Sequence, residues 1–141
     1  MRLPGLIFYP KIDRLSTNPM NKKILYVDDE LINTTFFKEI FGYDYEVIVA
    51  NSGNEAMEKF AEECDCIALV ITDFKMPGMN GIEMIGAIKD KYKDVPCLVI
   101  SGYTGEDEIQ EALEKKMLIK ALSKPYSHEE VKEIIDVHLA I

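Results

Sequence analysis

A chain of 141 residues holds one domain and little more. Its 48% hydrophobic and 29% charged content suits a globular domain with its own core, and no apolar stretch approaches the roughly 20 residues of a membrane helix. The formal net charge of −9 argues against direct nucleic-acid binding, which calls for clustered Lys and Arg, while leaving room for a divalent cation.

Residues 1–21 carry Pro4, Gly5, Pro10 and Pro19 without a clear period. The apolar run Leu6–Tyr9 is too short for a signal peptide, and no small-residue cleavage site follows it. This segment reads as a leader or a flexible N-terminal arm, with Met20 as a natural start.

From Lys23 onward, short apolar runs alternate with amphipathic segments of helical length. Ile24–Val27 is a strand closed by Asp28 and Asp29; Ile32, Phe36, Phe37, Ile40 and Phe41 then recur at helical spacing until Gly42. Glu46–Ala50 reads as the second strand. Ser52 with Glu55 fits a capping box opening a helix with Ala56, Met57, Phe60 and Ala61 inward. Ile67–Thr72 is uniformly apolar, as a buried parallel strand is, and Asp73 ends it. After a loop with Pro77, Gly78 and Gly81 comes a helix carrying Ile82, Ile85, Ile88 and Tyr92. Cys97–Ile100 is the fourth strand, residues 106–116 the fourth helix, and Ile119–Ser123 the fifth strand. Ser127 with Glu130 is a second capping-box match, opening a helix with Val131, Ile134, Ile135 and His138 at core spacing. The apolar stripes read as core. His128 and His138 stand singly, and neither is read as a ligand. The order is (βα)₅, which predicts an α/β doubly wound, parallel five-stranded sheet with right-handed crossovers.

Ligands bind such sheets beyond the carboxyl ends of the strands. There this sequence places Asp28 and Asp29, then Asp73, Ser101 and Lys124. Three carboxylates in one cleft repel one another unless something compensates, and a hard divalent cation is the simplest compensation. Mg²⁺ takes oxygen ligands and keeps several waters, so Asp29 and Asp73 are expected as direct ligands and Asp28 as the holder of a bound water. The backbone carbonyl of Lys75 is a further candidate ligand. A carboxylate can form an acyl phosphate, and the reaction depends on neutralising the phosphoryl oxygens. Lys124 and the Ser101 hydroxyl are placed to do so.

Together ILYVDDE (24–30), ITDFKMPGMNG (71–81), VISG (99–102) and SKP (123–125) resemble the receiver domain of two-component signalling. The resemblance covers residues 22–141, and it implies the flavodoxin-like fold of chemotaxis-type receivers. It implies Asp73 as phosphoacceptor, Asp28 and Asp29 as the acidic pair, Ser101 as the switch hydroxyl and Lys124 as the phosphoryl partner. Mg²⁺ is the implied cofactor, and the Lys124–Pro125 bond is implied to be cis. Implied partners are a histidine kinase or a histidine phosphotransfer protein and a downstream protein target. No direct nucleic-acid or membrane contact is expected. The domain acts in trans, forms a homodimer or belongs to a longer protein. It is not an enzyme in this reading, beyond assisting its own phosphotransfer and dephosphorylation.

Two features depart from the family pattern. Ala121 stands where relatives carry an aromatic residue, so no ring can report the switch, and the turn before the last strand lacks its usual Gly-Ala pair. Lys75 and Tyr103 occupy the positions thought to tune dephosphorylation in relatives. The alternative function is a pseudo-receiver, an interaction module that takes no phosphate. Cys64, Cys66 and Cys97 fit neither a redox nor a zinc spacing, which suggests a reducing cytoplasm.

Overall fold

The computed structural model describes residues 21–139. Apart from Asn21, the segment read as a leader or arm lies outside the described residues. Among the described residues, five strands alternate with five helices. They are β1 (Lys23–Val27), α1 (Leu31–Phe41), β2 (Glu46–Ala50), α2 (Gly53–Glu63) and β3 (Ile67–Asp73). Then come α3 (Gly81–Lys91), β4 (Cys97–Ser101), α4 (Asp107–Glu114), β5 (Lys120–Ser123) and α5 (His128–Leu139). All strand pairs are parallel, and the sheet order is β2-β1-β3-β4-β5. This is the expected doubly wound, flavodoxin-like arrangement.

Each face of the sheet has its own core. Leu25 and Val27 of β1 point to one side, where Phe60 of α2, Met84 and Ile85 of α3 and Ile109 of α4 bury them. Ile24 and Tyr26 point to the other, against Phe37 and Phe41 of α1 and Val131 and Ile135 of α5. Both faces are therefore apolar, so the central strands show no polar alternation. Cys97, fully buried at the start of β4, belongs to the first core, and burial pushes its thiol up to about 12.

The apolar stripe of α1 does not all face inward, which corrects the reading of that stripe as core. Thr34, Phe37 and Phe41 are buried, whereas Ile32 (73% exposed) and Phe36 (61%) face solvent together with Ile40. Residues 32, 36 and 40 form their own i, i+4 row, one helical position round from the row that meets the sheet. His138 is half-buried, with Nδ1 2.9 Å from the Ile134 carbonyl, and the His128 ring stacks on Phe41 at 4.8 Å.

The helix ends show which caps form. Ser52 accepts the Glu55 N–H (3.0 Å), but the Glu55 carboxylate reaches the N–H of Asn51 rather than that of Ser52. Ser127 accepts from Glu130 N–H (3.1 Å), while the Glu130 carboxylate binds Lys120 (3.0 Å). The complete capping box is Asn80 with Glu83, hidden in the glycine-rich loop. Where the turn after α4 lacks glycine, Lys116 itself takes the left-handed conformation (φ 61°). Its N–H binds Leu113 O, and that of Met117 binds Ala112 O, closing a Schellman cap.

Candidate phosphoacceptor and cation site

Pairing continues to the last residue of β3 and β4, with Asp73 opposite Ile100 and Ser101 opposite Ser123. Asp28 follows β1 directly, and its N–H still binds Ala50 O (3.1 Å). The chemical residues are thus fixed by the sheet itself, at one edge.

Asp28, Asp29 and Asp73 each offer a carboxylate oxygen, and these lie within 4.8 Å of one another. Asp28 is 1% exposed and heavily bonded. Its Oδ1 accepts the Glu30 N–H (3.0 Å); its Oδ2 accepts the Asn33 amide (3.1 Å) and the Tyr26 hydroxyl (3.3 Å). The Asn51 side-chain amide donates both to the Asp28 carbonyl and to Thr34 Oγ1, each at 3.0 Å, tying the acidic loop to α1. Asp29 is exposed.

Asp73 Oδ1 lies 3.1 Å from Lys124 Nζ and accepts the Phe74 N–H at 3.0 Å. Burial raises the Asp73 pKa above the ordinary value; Lys124 opposes this, and the Asp28 charge adds to it. The Lys124–Pro125 bond is cis, as the resemblance implies.

The Ser101 hydroxyl is engaged with its own loop, 3.2 Å from both the carbonyl and the N–H of Tyr103. Tyr103 folds over Gly105 so closely that a Cβ there would lie 2.4 Å from its hydroxyl oxygen. The Lys75 side chain, 77% exposed, leans away to Glu106 (3.7 Å), and Asn80 contacts Glu108 (3.2 Å). Two polar bridges therefore span from the loop after Asp73 to the start of α4. Ala121 is half-buried and packs on the first core, while Tyr126, two residues after Lys124, packs on the second.

Asp28, Asp29, Asp73 and Lys124 are brought together as expected, and Ser101 stands on the same edge. Tyr26, Asn33, Asn51 and Glu106 escaped the sequence reading. Tyr26 had a legible signal: a tyrosine inside a buried aliphatic strand needs a partner for its hydroxyl, and an aspartate two residues on shares its face.

Residues 24–136 match the response regulator receiver domain family. The chain is a member of that family. This receiver domain is 30% identical over 123 residues to sporulation initiation phosphotransferase F of Bacillus subtilis, covering 86% of this chain and 97% of that one. To chemotaxis protein CheY1 of Helicobacter pylori J99 it is 32% identical over 122 residues, 83% of this chain and 96% of the other. With the transcriptional regulatory protein ZraR of Klebsiella oxytoca it shares 33% identity over 118 residues, covering 83% of this chain but 26% of ZraR. The receiver domain thus spans about a quarter of that longer relative. Among solved structures, the response regulator TrrA of Thermotoga maritima in complex with Mg(2+)-BeF aligns with a TM-score of 0.69 and 32% identity, over 82% of this chain and 97% of TrrA. A receiver domain protein of Clostridium thermocellum gives 0.74 and 28%, over 84% and 94%.

Proposed function

We propose that this receiver domain accepts a phosphoryl group on Asp73 in a Mg²⁺-dependent reaction, drawing it from a histidine kinase or a histidine phosphotransfer protein. The observation that carries this reading is the cluster of three carboxylates with Lys124 3.1 Å from Asp73. The donor set is all oxygen, and its mutual repulsion is relieved by a hard cation, so the residues fit Mg²⁺. Asp29, Asp73 and the Lys75 backbone carbonyl would hold the ion. Asp28, whose oxygens already accept three hydrogen bonds, suits contact through a water. TrrA, similar to this chain, is described with Mg(2+)-BeF, which supports the same chemistry here. When bound, the ion neutralises charge on the phosphoryl oxygens.

Asp73 Oδ1 is committed to Lys124 and to Phe74, so Oδ2 is the oxygen assigned to attack. The new P–O bond forms as the donor's P–N bond breaks, and the freed imidazole keeps that electron pair. Lys124 then pairs with a phosphoryl oxygen. Ser101 gives up its bonds to Tyr103 for another oxygen, and that exchange rearranges the β4–α4 loop. The added charge thereby biases a protein-interaction surface on α4, β5 and α5. The residues act on the chain's own side chain, so the domain is a phosphoacceptor rather than an enzyme. Its three free thiols suit a reducing cytoplasm. Intact mass after incubation with Mg²⁺ and an acyl phosphate tests the reading. One adduct per chain, lost with EDTA, supports it; no adduct in a chain that binds Mg²⁺ favours the pseudo-receiver.

Lys75 and Tyr103 hold the two positions that the family resemblance links to dephosphorylation, Lys75 drawn to Glu106 and Tyr103 lying over Gly105. Lys75→Ala and Tyr103→Ala are each expected to shorten the phosphorylated lifetime several-fold, followed by mass after the donor is removed. Unchanged decay in both variants would show that neither residue screens the site.

A further inference from the structure

Asp28 is the deepest of the three carboxylates, and the bonds that hold it come from residues the phosphoryl reaction does not use. Tyr26 is buried in the second core with its ring stacked on Phe37 (centroids 3.9 Å apart, planes 8° apart), and Phe37 in turn packs on Phe41 at 4.5 Å. A ring clamped in this way has little freedom, so its hydroxyl is presented to Asp28 Oδ2 from a fixed point. The Asn33 amide approaches the same oxygen from α1. The phenol O–H is a hydrogen-bond donor at neutral pH, and its contact here is with Asp28 Oδ2.

We infer that Tyr26 is a positioning residue of the cation site, whose hydroxyl, together with the Asn33 amide, holds the Asp28 carboxylate in the orientation that receives a metal-bound water. The inference rests on the reading of Asp28, Asp29 and Asp73 as that site. Without these donors, Asp28 keeps only the Glu30 N–H on Oδ1, and its Oδ2 must be reordered beside two like charges each time a cation enters. Outer partners of metal-binding carboxylates typically matter about 10–100-fold in affinity. The Tyr26 contact is long at 3.3 Å, which places its removal at the lower end, about tenfold. Because Tyr26 and Asn33 bond one oxygen, their effects should not add.

The test is calorimetric titration of the whole chain with MgCl₂, without any phosphodonor, for wild type, Tyr26→Phe, Asn33→Ala and Asp29→Asn. Thermal melting in EDTA runs alongside. Tyr26→Phe keeps the stacked ring, so it is expected to melt with wild type while its Mg²⁺ Kd rises about tenfold. Wild-type affinity in Tyr26→Phe, with binding weakened in Asp29→Asn, overturns the inference and leaves the cation site standing. Undiminished affinity in Asp29→Asn overturns the cation site itself. Should Tyr26→Phe melt lower, Asn33→Ala decides: weaker Mg²⁺ binding there supports the positioning role, and wild-type binding refutes it.

Discussion

Asp73→Asn is expected to take up no phosphoryl group under conditions where the wild-type chain takes up one. An amide oxygen is too weak a nucleophile to replace a carboxylate, and the other two acids of the cluster are placed differently. Asp28 is enclosed by three hydrogen bonds, and Asp29 is exposed. An adduct of undiminished yield in this variant would move the acceptor elsewhere. The same substitution carries a second, thermodynamic readout. The folded pKa of Asp73 lies above its ordinary value of 3.8, chiefly through burial. Stability from this group is therefore fully present below the unfolded pKa and is lost as pH rises through the folded one. At neutral pH the ionised side chain costs stability, and asparagine removes that cost. In EDTA at pH 7 the variant should melt above wild type. The gap should close as pH falls towards the carboxylate range. A lower melting temperature at pH 7 would mean that Lys124 outweighs burial.

Gly81→Ala should damage stability and chemistry together. Gly81 begins α3, where its N–H binds Phe74 O at 2.9 Å. A Cβ there would stand 2.3 Å from the Asp73 carbonyl oxygen and 3.0 Å from Thr72 Cγ2. The nearest atom is backbone at a paired strand end, so no rotamer change relieves the clash. Either α3 lifts from the sheet or Asp73 shifts. Overpacking of this kind costs roughly 1–3 kcal/mol, and an unyielding backbone contact belongs at the upper end. Urea unfolding and the initial rate of adduct formation measure both effects. A variant of wild-type stability and rate would show that the loop between Asp73 and α3 gives way freely.

The fold was legible because its signals agree. The pattern predicts Glu46–Ala50 to the residue, and it predicts the strands and helices of the described residues in order. The boundary errors at β3 and β4 share one cause. Asp73 and Ser101 looked like strand stops because they are polar, yet backbone pairing continues through them regardless of side chain. On α1, periodicity revealed two apolar rows but not which of them meets the sheet. That depends on where α5 packs on the same face. The Asn80–Glu83 box is masked in the sequence because glycine and proline around it read as loop. Within the site, strand-end aspartates and Lys124 were legible from order alone. The bridge from Lys75 to Glu106 joins residues 31 positions apart on separate loops, and only tertiary structure brings them together.

The cysteines have a practical consequence. Cys97 is fully enclosed and its thiol resists ionisation, whereas Cys64 and Cys66 are partly accessible at the far end of the sheet from Asp73. A thiolate-selective alkylating reagent therefore meets two kinds of target in one polypeptide. Modification of Cys97 waits for the core to open, so its rate registers how often the molecule unfolds. Cys64 and Cys66 report reagent strength in the same tube. The chain thus carries an internal gauge of its own opening, readable by peptide mass in a crude mixture and without any added label.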